Sequence, residues 1–119
     1  LVSKRGSLWQ RSRNALRGLF RAISEEHSLR TELLAALFAV VLLLALRASP
    51  LWWALVTVLI AVVFAAELLN TAIENLADRV SPEYDPRIGR VKDFAAAAVL
   101  VLGVAAVLVT IFLVWSRLG

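Results

Sequence analysis

Residues 51–78 read LWWALVTVLIAVVFAAELLNTAIENLAD, and two different solvents are written into them. From Leu51 to Ala66 the run is apolar, with Trp52 and Trp53 at its start, where indole rings suit a membrane–water interface. From Glu67 onward the residues are still helix formers, but Glu67, Asn70, Glu74 and Asp78 follow one another at intervals of three, four and four. At about 3.6 residues per turn those intervals put all four on one face of a helix. The spacing therefore predicts one helix that starts in lipid and ends in a polar stripe. An ionised carboxylate facing hydrocarbon costs at least about 2.5 kcal/mol, so the stripe must face protein, water or a bound cation. Two readings stand for it: the carboxylates snorkel or pair with Arg30, Arg79 or Lys92 to hold subunits together, or they form a working site. Asp78 divides evenly between the two, whereas Glu67, which comes directly after the apolar run, favours function.

Two more spans flank this one. Residues 29–48 form the first, with an uninterrupted apolar part from Leu33 to Leu46 that is short against the roughly 20 residues a bilayer needs, so its first turns belong near the headgroups or inside a bundle. Arg47, Ala48, Ser49 and Pro50 make the tight connection to residues 51–80. Ser81, Pro82 and Pro86 then break the pattern into a polar loop reaching about Arg90, and residues 90–117 hold the third span, apolar from Phe94 to Trp115. Its alanine run, Ala95 to Ala98, suits close helix packing in lipid. Ahead of all three, Leu8, Trp9, Ala15, Leu16, Leu19, Phe20 and Ile23 recur at helical spacing while Arg11, Arg13, Arg17 and Arg21 fill much of the rest. Residues 8–25 thus read as a basic amphipathic helix lying in the interface. The expected architecture is all-α and membrane-embedded, a surface helix plus three transmembrane helices in a single domain over residues 1–119.

Composition agrees, with 61% hydrophobic and 18% charged residues against about 45–50% apolar in a soluble domain. The net charge of +4 raises nucleic acid as a partner, but the cations sit beside apolar spans without interleaved stacking aromatics, so anionic lipid headgroups explain them and no nucleic acid is expected. Lys4, Arg5, Arg11, Arg13, Arg17, Arg21 and Arg30 precede the first span, and Arg79, Arg87, Arg90 and Lys92 lie between the second and third. The positive-inside rule puts both sets on the cytoplasmic side, leaving Arg47 and Arg117 opposite. With no cysteine and His27 as the one histidine, disulfides and thiolate metal sites are excluded and zinc catalysis is not expected. The chain holds no methionine and opens Leu-Val, so its native start is expected to lie outside these residues; no signal peptide is read.

Glu25, Glu26, His27, Arg30 and Glu32 form a second polar group, at the start of the first span and at the same end as the stripe. Two carboxylates from different helices with a lysine nearby are what a magnesium nucleotide needs: hard oxygens for the ion and a cation for the phosphates. Spacing alone does not single this chemistry out. His27 reads as an interfacial residue and Glu25 as solvated. The glycines, Gly6, Gly18, Gly89, Gly103 and Gly119, are scattered and none begins a phosphate-binding loop. No metalloprotease motif or nucleophile elbow is present.

The run from Glu67 through Asn70 and Glu74 to Asp78-Arg79, followed by Lys92-Asp93 and a small-residue stretch into Ala98-Val99-Leu100, resembles the signature of the prokaryotic diacylglycerol kinase family, which includes undecaprenol kinases of similar size. The likeness covers nearly the whole chain: a basic helix with Gly18-Leu19, then Glu26, Arg30 and Glu32, three spans, and Trp115-Ser116 near the end. The resemblance implies an ATP-dependent lipid kinase of the bacterial inner membrane, with its N-terminus and active site cytoplasmic. It further implies a homotrimer whose neighbouring subunits contribute to composite sites. Carried over residue by residue, Glu67 matches the general base that takes the proton of the lipid hydroxyl, and Glu26 and Glu74 match the ligands of Mg2+. Glu74 also borders the nucleotide, Asn70 matches a nucleotide- and site-organising position, Lys92 the phosphate-contacting lysine and Asp93 the neighbouring acid. Asp78 matches a motif residue of structural role. Asp85 stands where some members have histidine, and Glu83, Tyr84 and Asp85 carry no assigned role.

Diacylglycerol is the first choice of acceptor and undecaprenol the second, since both present a hydroxyl on an apolar tail and lipid-facing residues such as Leu37, Phe38, Val41 and Trp53 are interchangeable hydrophobes. A proton-coupled carrier with Glu67 as its membrane-embedded proton site is the reading from another class. It expects polar residues at the midplane and gives the Lys92-Asp93 pair no task. A non-catalytic adaptor acting through the basic helix would leave the stripe unexplained.

Overall fold

The computed structural model describes residues 6–118. Lys4 and Arg5, counted above with the first cationic set, and Gly119 lie outside the described residues. Four helices follow in order: α1 Leu8–Glu25, α2 His27–Ala45, α3 Pro50–Val80 and α4 Pro86–Leu118. The last three are long and apolar enough to cross a membrane.

Each helix end has a local cause. The Ser7 side chain accepts a bond from the Gln10 amide at 3.1 Å and starts α1. Glu26 alone separates α1 from α2, in extended conformation, as the C-cap of one and the N-cap of the other. The first span starts earlier than expected, at His27, because that single residue is the whole joint. It also ends earlier, at Ala45: Arg47 takes a left-handed φ of 52°, the Ala48 amide donates to Leu43 O at 3.0 Å and the Arg47 amide to Leu44 O at 3.2 Å. This is a Schellman stop, in which a left-handed residue turns its own amide and the next back onto the orphaned carbonyls. Pro50 then opens α3, where its missing N–H costs no helical bond. The third membrane helix begins at Pro86, inside the stretch expected as loop up to about Arg90. Asp85 Oδ1 accepts from the Arg87 amide at 2.9 Å, a cap that lets Pro86 and Arg87 enter the first turn.

α3 runs unbroken for 31 residues, about 46 Å at 1.5 Å per residue, well beyond the roughly 30 Å of a hydrocarbon core. The apolar start and the polar stripe are therefore one rod. α3 packs chiefly on α4 and less on α2, with α1 touching α2. The core sits at one end, where Leu43, Val56 and Leu113 are buried under Leu42, Leu46, Trp52, Trp53 and Ile60. At that end the Arg117 Nε donates to Leu46 O at 2.8 Å and ties the last turn of α4 to the C-cap of α2. The opposite end carries the stripe and is held more openly. Large apolar side chains such as Leu34, Phe38, Leu69 and Leu100 are exposed along the spans, as a chain whose solvent is hydrocarbon requires.

Candidate active site

The stripe emerges from the lipid-facing part of α3 with a gradient of burial. Glu67 is 8% exposed, the one buried charged side chain among the described residues; Asn70 is half-buried, and Glu74 and Asp78 are exposed. No ion pair among the described residues reaches Glu67. Another acid, Glu32, half-buried on α2, lies close enough for the two charges to interact. Such an arrangement suits a carboxylate that must be free to take a proton and does not suit one that serves as a structural ion-pair partner.

One turn further along, the Asn70 Nδ2 donates to Glu74 Oε1 at 2.7 Å, which fixes the Glu74 carboxylate from within its own helix. The other end of the amide is unspent: Asn70 Oδ1 is buried and has no hydrogen-bond partner. A buried acceptor without a donor costs about 1–3 kcal/mol. That cost is recovered when a donor from outside the chain, such as a hydroxyl, reaches it.

Across the helix pair the Lys92 Nζ donates to Asp78 Oδ1 at 2.8 Å, bridging α4 to the end of the stripe. Both side chains are substantially open to solvent, so water screens the pair and the ammonium can turn to another anion with little loss. Lys92 also feels the charge of Glu74. Asp78, Lys92 and Asp93 share a cavity of about 300 Å³ with the connecting segment, namely Ser81, Pro82, Glu83, Tyr84, Asp85, Ile88 and Gly89. The segment is shaped by its own bonds, with the Ser81 Oγ donating to Glu83 O at 2.7 Å and the Arg87 guanidinium 3.3 Å from Asp85 Oδ2. The Arg87 amide, then its side chain, hold the Asp85 carboxyl below the usual carboxylate range. Asp85 thus has a task that the sequence reading did not assign, capping α4.

A second cavity, about 320 Å³, lies among α2, α3 and α4 and is lined by apolar side chains including Phe38, Leu42, Ile60 and Phe64. Glu32 is the one charged residue in its wall. The apolar cleft thus reaches from the buried core, whose Leu42, Val56, Ile60 and Leu113 also line it, to Glu32, while the polar cavity lies beside Lys92 and Asp93.

Of the candidate residues, the structure joins Asn70 to Glu74, Lys92 to Asp78, and Asp93 to the Lys92 cavity. Glu26 stands apart at the α1–α2 joint, half-buried, its side chain making no capping bond. Among the described residues no three His, Cys, Asp or Glu side chains gather to hold a metal ion. A magnesium ion does not need such a cage, since it takes one or two carboxylates and completes its shell with phosphate oxygens and water. The hard oxygens of Glu74, held by Asn70, fit that kind of partial site.

Arg30 and Glu32 are the functional candidates to which the sequence assigned no role. Their interest lies in what they touch across helices, which periodicity does not reveal.

Comparison with known proteins bears on the same residues. The family described as prokaryotic diacylglycerol kinase matches residues 13–114, which include the stripe, the connecting segment and all of the candidate residues. A diacylglycerol kinase of Escherichia coli K12 is 37% identical over 103 residues, covering 87% of this chain and 84% of that one. A diacylglycerol kinase of a Sinorhizobium species is 35% identical over 102 residues, covering 82% of this chain and 74% of the other. The undecaprenol kinase of Bacillus subtilis 168 is 29% identical over 105 residues, covering 88% and 85%. The buried Glu67 carboxylate, in no ion pair among the described residues, lies within the matched stretch. The chain belongs to the prokaryotic diacylglycerol kinase family, membrane-embedded enzymes that transfer phosphate from ATP to a lipid.

Proposed function

We propose that this chain works as one lipid kinase domain at the cytoplasmic face of the bacterial inner membrane, transferring the γ-phosphate of ATP to the hydroxyl of diacylglycerol. The observation that carries the reading is Glu67: buried, in no ion pair among the described residues, at the level where the apolar run gives way to polar side chains. The diacyl tails lie along the apolar cleft among α2, α3 and α4, and the nucleotide lies against Lys92 and Asp93. Glu67 accepts the proton as the lipid oxygen bonds to the γ-phosphorus, the bond from that phosphorus to the β–γ bridging oxygen breaks, and ADP leaves. A high-pKa alcohol gains about 10²–10⁴ in rate from such a base. Lys92 leaves Asp78 for the phosphates and offsets their charge. Glu74, fixed by Asn70, and Glu26 hold Mg2+, which supplies charge neutralisation at the phosphate oxygens when bound. Asn70 Oδ1 receives a donor from the lipid headgroup. The working form is a homotrimer in which neighbouring copies complete each site, a reading supported by the exposed apolar faces of the spans.

Membership of the kinase family displaces the proton-coupled carrier reading. Between acceptors, the higher identity to proteins named diacylglycerol kinase favours diacylglycerol over undecaprenol. The test is transfer of labelled phosphate from ATP to each lipid in separate mixed micelles, using the chain and its Glu67→Gln variant. Transfer to diacylglycerol is expected to fall about 10²–10⁴-fold in the variant, with nucleotide binding retained. Preference for undecaprenol would change the substrate and leave the base in place, and near-full activity in the variant would remove Glu67 from that role.

A further inference from the structure

The joint between α1 and α2 is a single extended residue, Glu26, with φ −109° and ψ 119°. Its backbone is fully committed: the amide donates to Ala22 O at 2.8 Å and the carbonyl accepts from the Arg30 amide at 3.4 Å. Its side chain is not, making no cap bond to either helix. The direction in which that carboxylate points is therefore set by the angle between two helices. A one-residue extended link leaves that angle free to swing unless something spans it.

Arg30 spans it. From the first turn of α2 its guanidinium NH1 reaches back to Ser24 O at 2.9 Å and Ile23 O at 3.2 Å. Those are carbonyls of the last turn of α1, groups that a helix end leaves without partners and where its dipole is negative. One cationic nitrogen thus closes the end of α1 and clasps it to α2. Leu29, the neighbouring residue, is fully buried and anchors the side of α2 from which the clasp extends. Arg30 is itself exposed and forms no ion pair among the described residues, so it is committed to carbonyls while carboxylates stand nearby in the sequence.

We infer that Arg30 is a positioning residue for the kinase reaction: it locks the α1–α2 elbow and thereby aims the Glu26 carboxylate at the metal ion carried by the nucleotide. The inference rests on the reading of Glu26 as a ligand, and the two can be separated by experiment. Loss of a group that orients a metal ligand costs about 10–100-fold in metal affinity.

The experiment uses the full chain in detergent micelles, as Arg30→Gln, Glu26→Gln and the double variant. Affinity for Mn2+ in the presence of ATP is read by electron paramagnetic resonance. Because the chain has no cysteine, one spin label at Arg13→Cys on α1 and one at Leu37→Cys on α2 also report the elbow by pulsed distance measurement. Arg30→Gln is expected to broaden a narrow distance distribution and to weaken Mn2+ about tenfold or more, and to add little when Glu26 is already Gln. Should Glu26→Gln weaken Mn2+ while Arg30→Gln leaves the ion and the distances unchanged, the positioning role is overturned and the ligand stands. An unaltered Mn2+ affinity in Glu26→Gln would overturn the ligand reading and the inference with it. If Arg30→Gln does not fold, Arg30→Lys keeps a cation near the same carbonyls; an intermediate loss of Mn2+ affinity supports the clasp, and wild-type affinity with a broadened elbow overturns the aim.

Discussion

Asn70 spends one end of its amide inside the protein, and under the proposed function the other receives the lipid headgroup. With Nδ2 on Glu74 and Oδ1 buried without a donor, replacement by leucine removes both tasks at once. Asn70→Leu is expected to raise the magnesium needed for half-maximal rate and the KM for the lipid together, whereas Glu74→Gln shifts the first alone; titrating each substrate against each variant checks this. Lys92 differs in kind, since it already has a partner in Asp78. Lys92→Ala is expected to raise the KM for ATP roughly tenfold, the scale of one charged hydrogen bond. Asp78→Asn is expected to change that KM far less, because the ammonium it releases still serves the phosphates. Equal effects from the two substitutions would mean that the bridge itself, and not the lysine, organises the nucleotide. The stripe was legible in the sequence because intervals of three and four residues map onto one helical face. The burial gradient along it, from Glu67 to Asp78, was not, because it depends on which neighbours α2 and α4 bring up.

Helix ends show the same division. Pro50 and the break at Ser81–Pro82 announced the limits of α3, since proline and capping residues carry a fixed local preference. Arg47 announced nothing: a left-handed arginine is a choice of the Schellman stop, where glycine is usual. Arg47→Gly is accordingly expected to stabilise the protein by about 1 kcal/mol, the penalty of a side chain in that region, read as a raised midpoint of thermal unfolding in detergent. The cap of α4 was hidden too, because Asp85 sits in a segment whose prolines suggested loop. Since Arg87 holds its carboxyl below the ordinary range, the cap contributes fully above that range and is lost as pH falls through the lowered value. The protection of residues 87–89 against hydrogen exchange, taken relative to the intrinsic rate at each pH, is expected to fall on acidification in the native chain, and to lose that dependence in Asp85→Asn, which caps without titrating. The clasp from Arg30 to Ile23 and Ser24 leaves no periodic trace, for it joins residues six and seven apart across a bend.

At the scale of the molecule, the apolar core and the Arg117–Leu46 tie lie at one end and the polar stripe at the other. Three spans and a surface helix were legible because hydropathy and the rhythm of arginines need no tertiary knowledge. Any contact between copies was not, because a side chain facing lipid and one facing a second copy are written with the same residues. A trimer is expected in native mass spectrometry from mild detergent, and a monomer retaining full activity would mean that each chain completes its own site. α3 has a consequence for the membrane around it. Trp52 and Trp53 belong at one water boundary, and Glu67 follows on the same unbroken rod about 21–23 Å away. That separation is a ruler built into the enzyme, fixed by covalent geometry and indifferent to the lipids, while the height of a lipid's hydroxyl above the opposite boundary varies with acyl length. With Glu67 as the proposed base, membranes that are too thin or too thick put it and the lipid hydroxyl at different depths, so the bilayer's own thickness becomes a dial on turnover, with tilt of α3 the cheapest way to retune it.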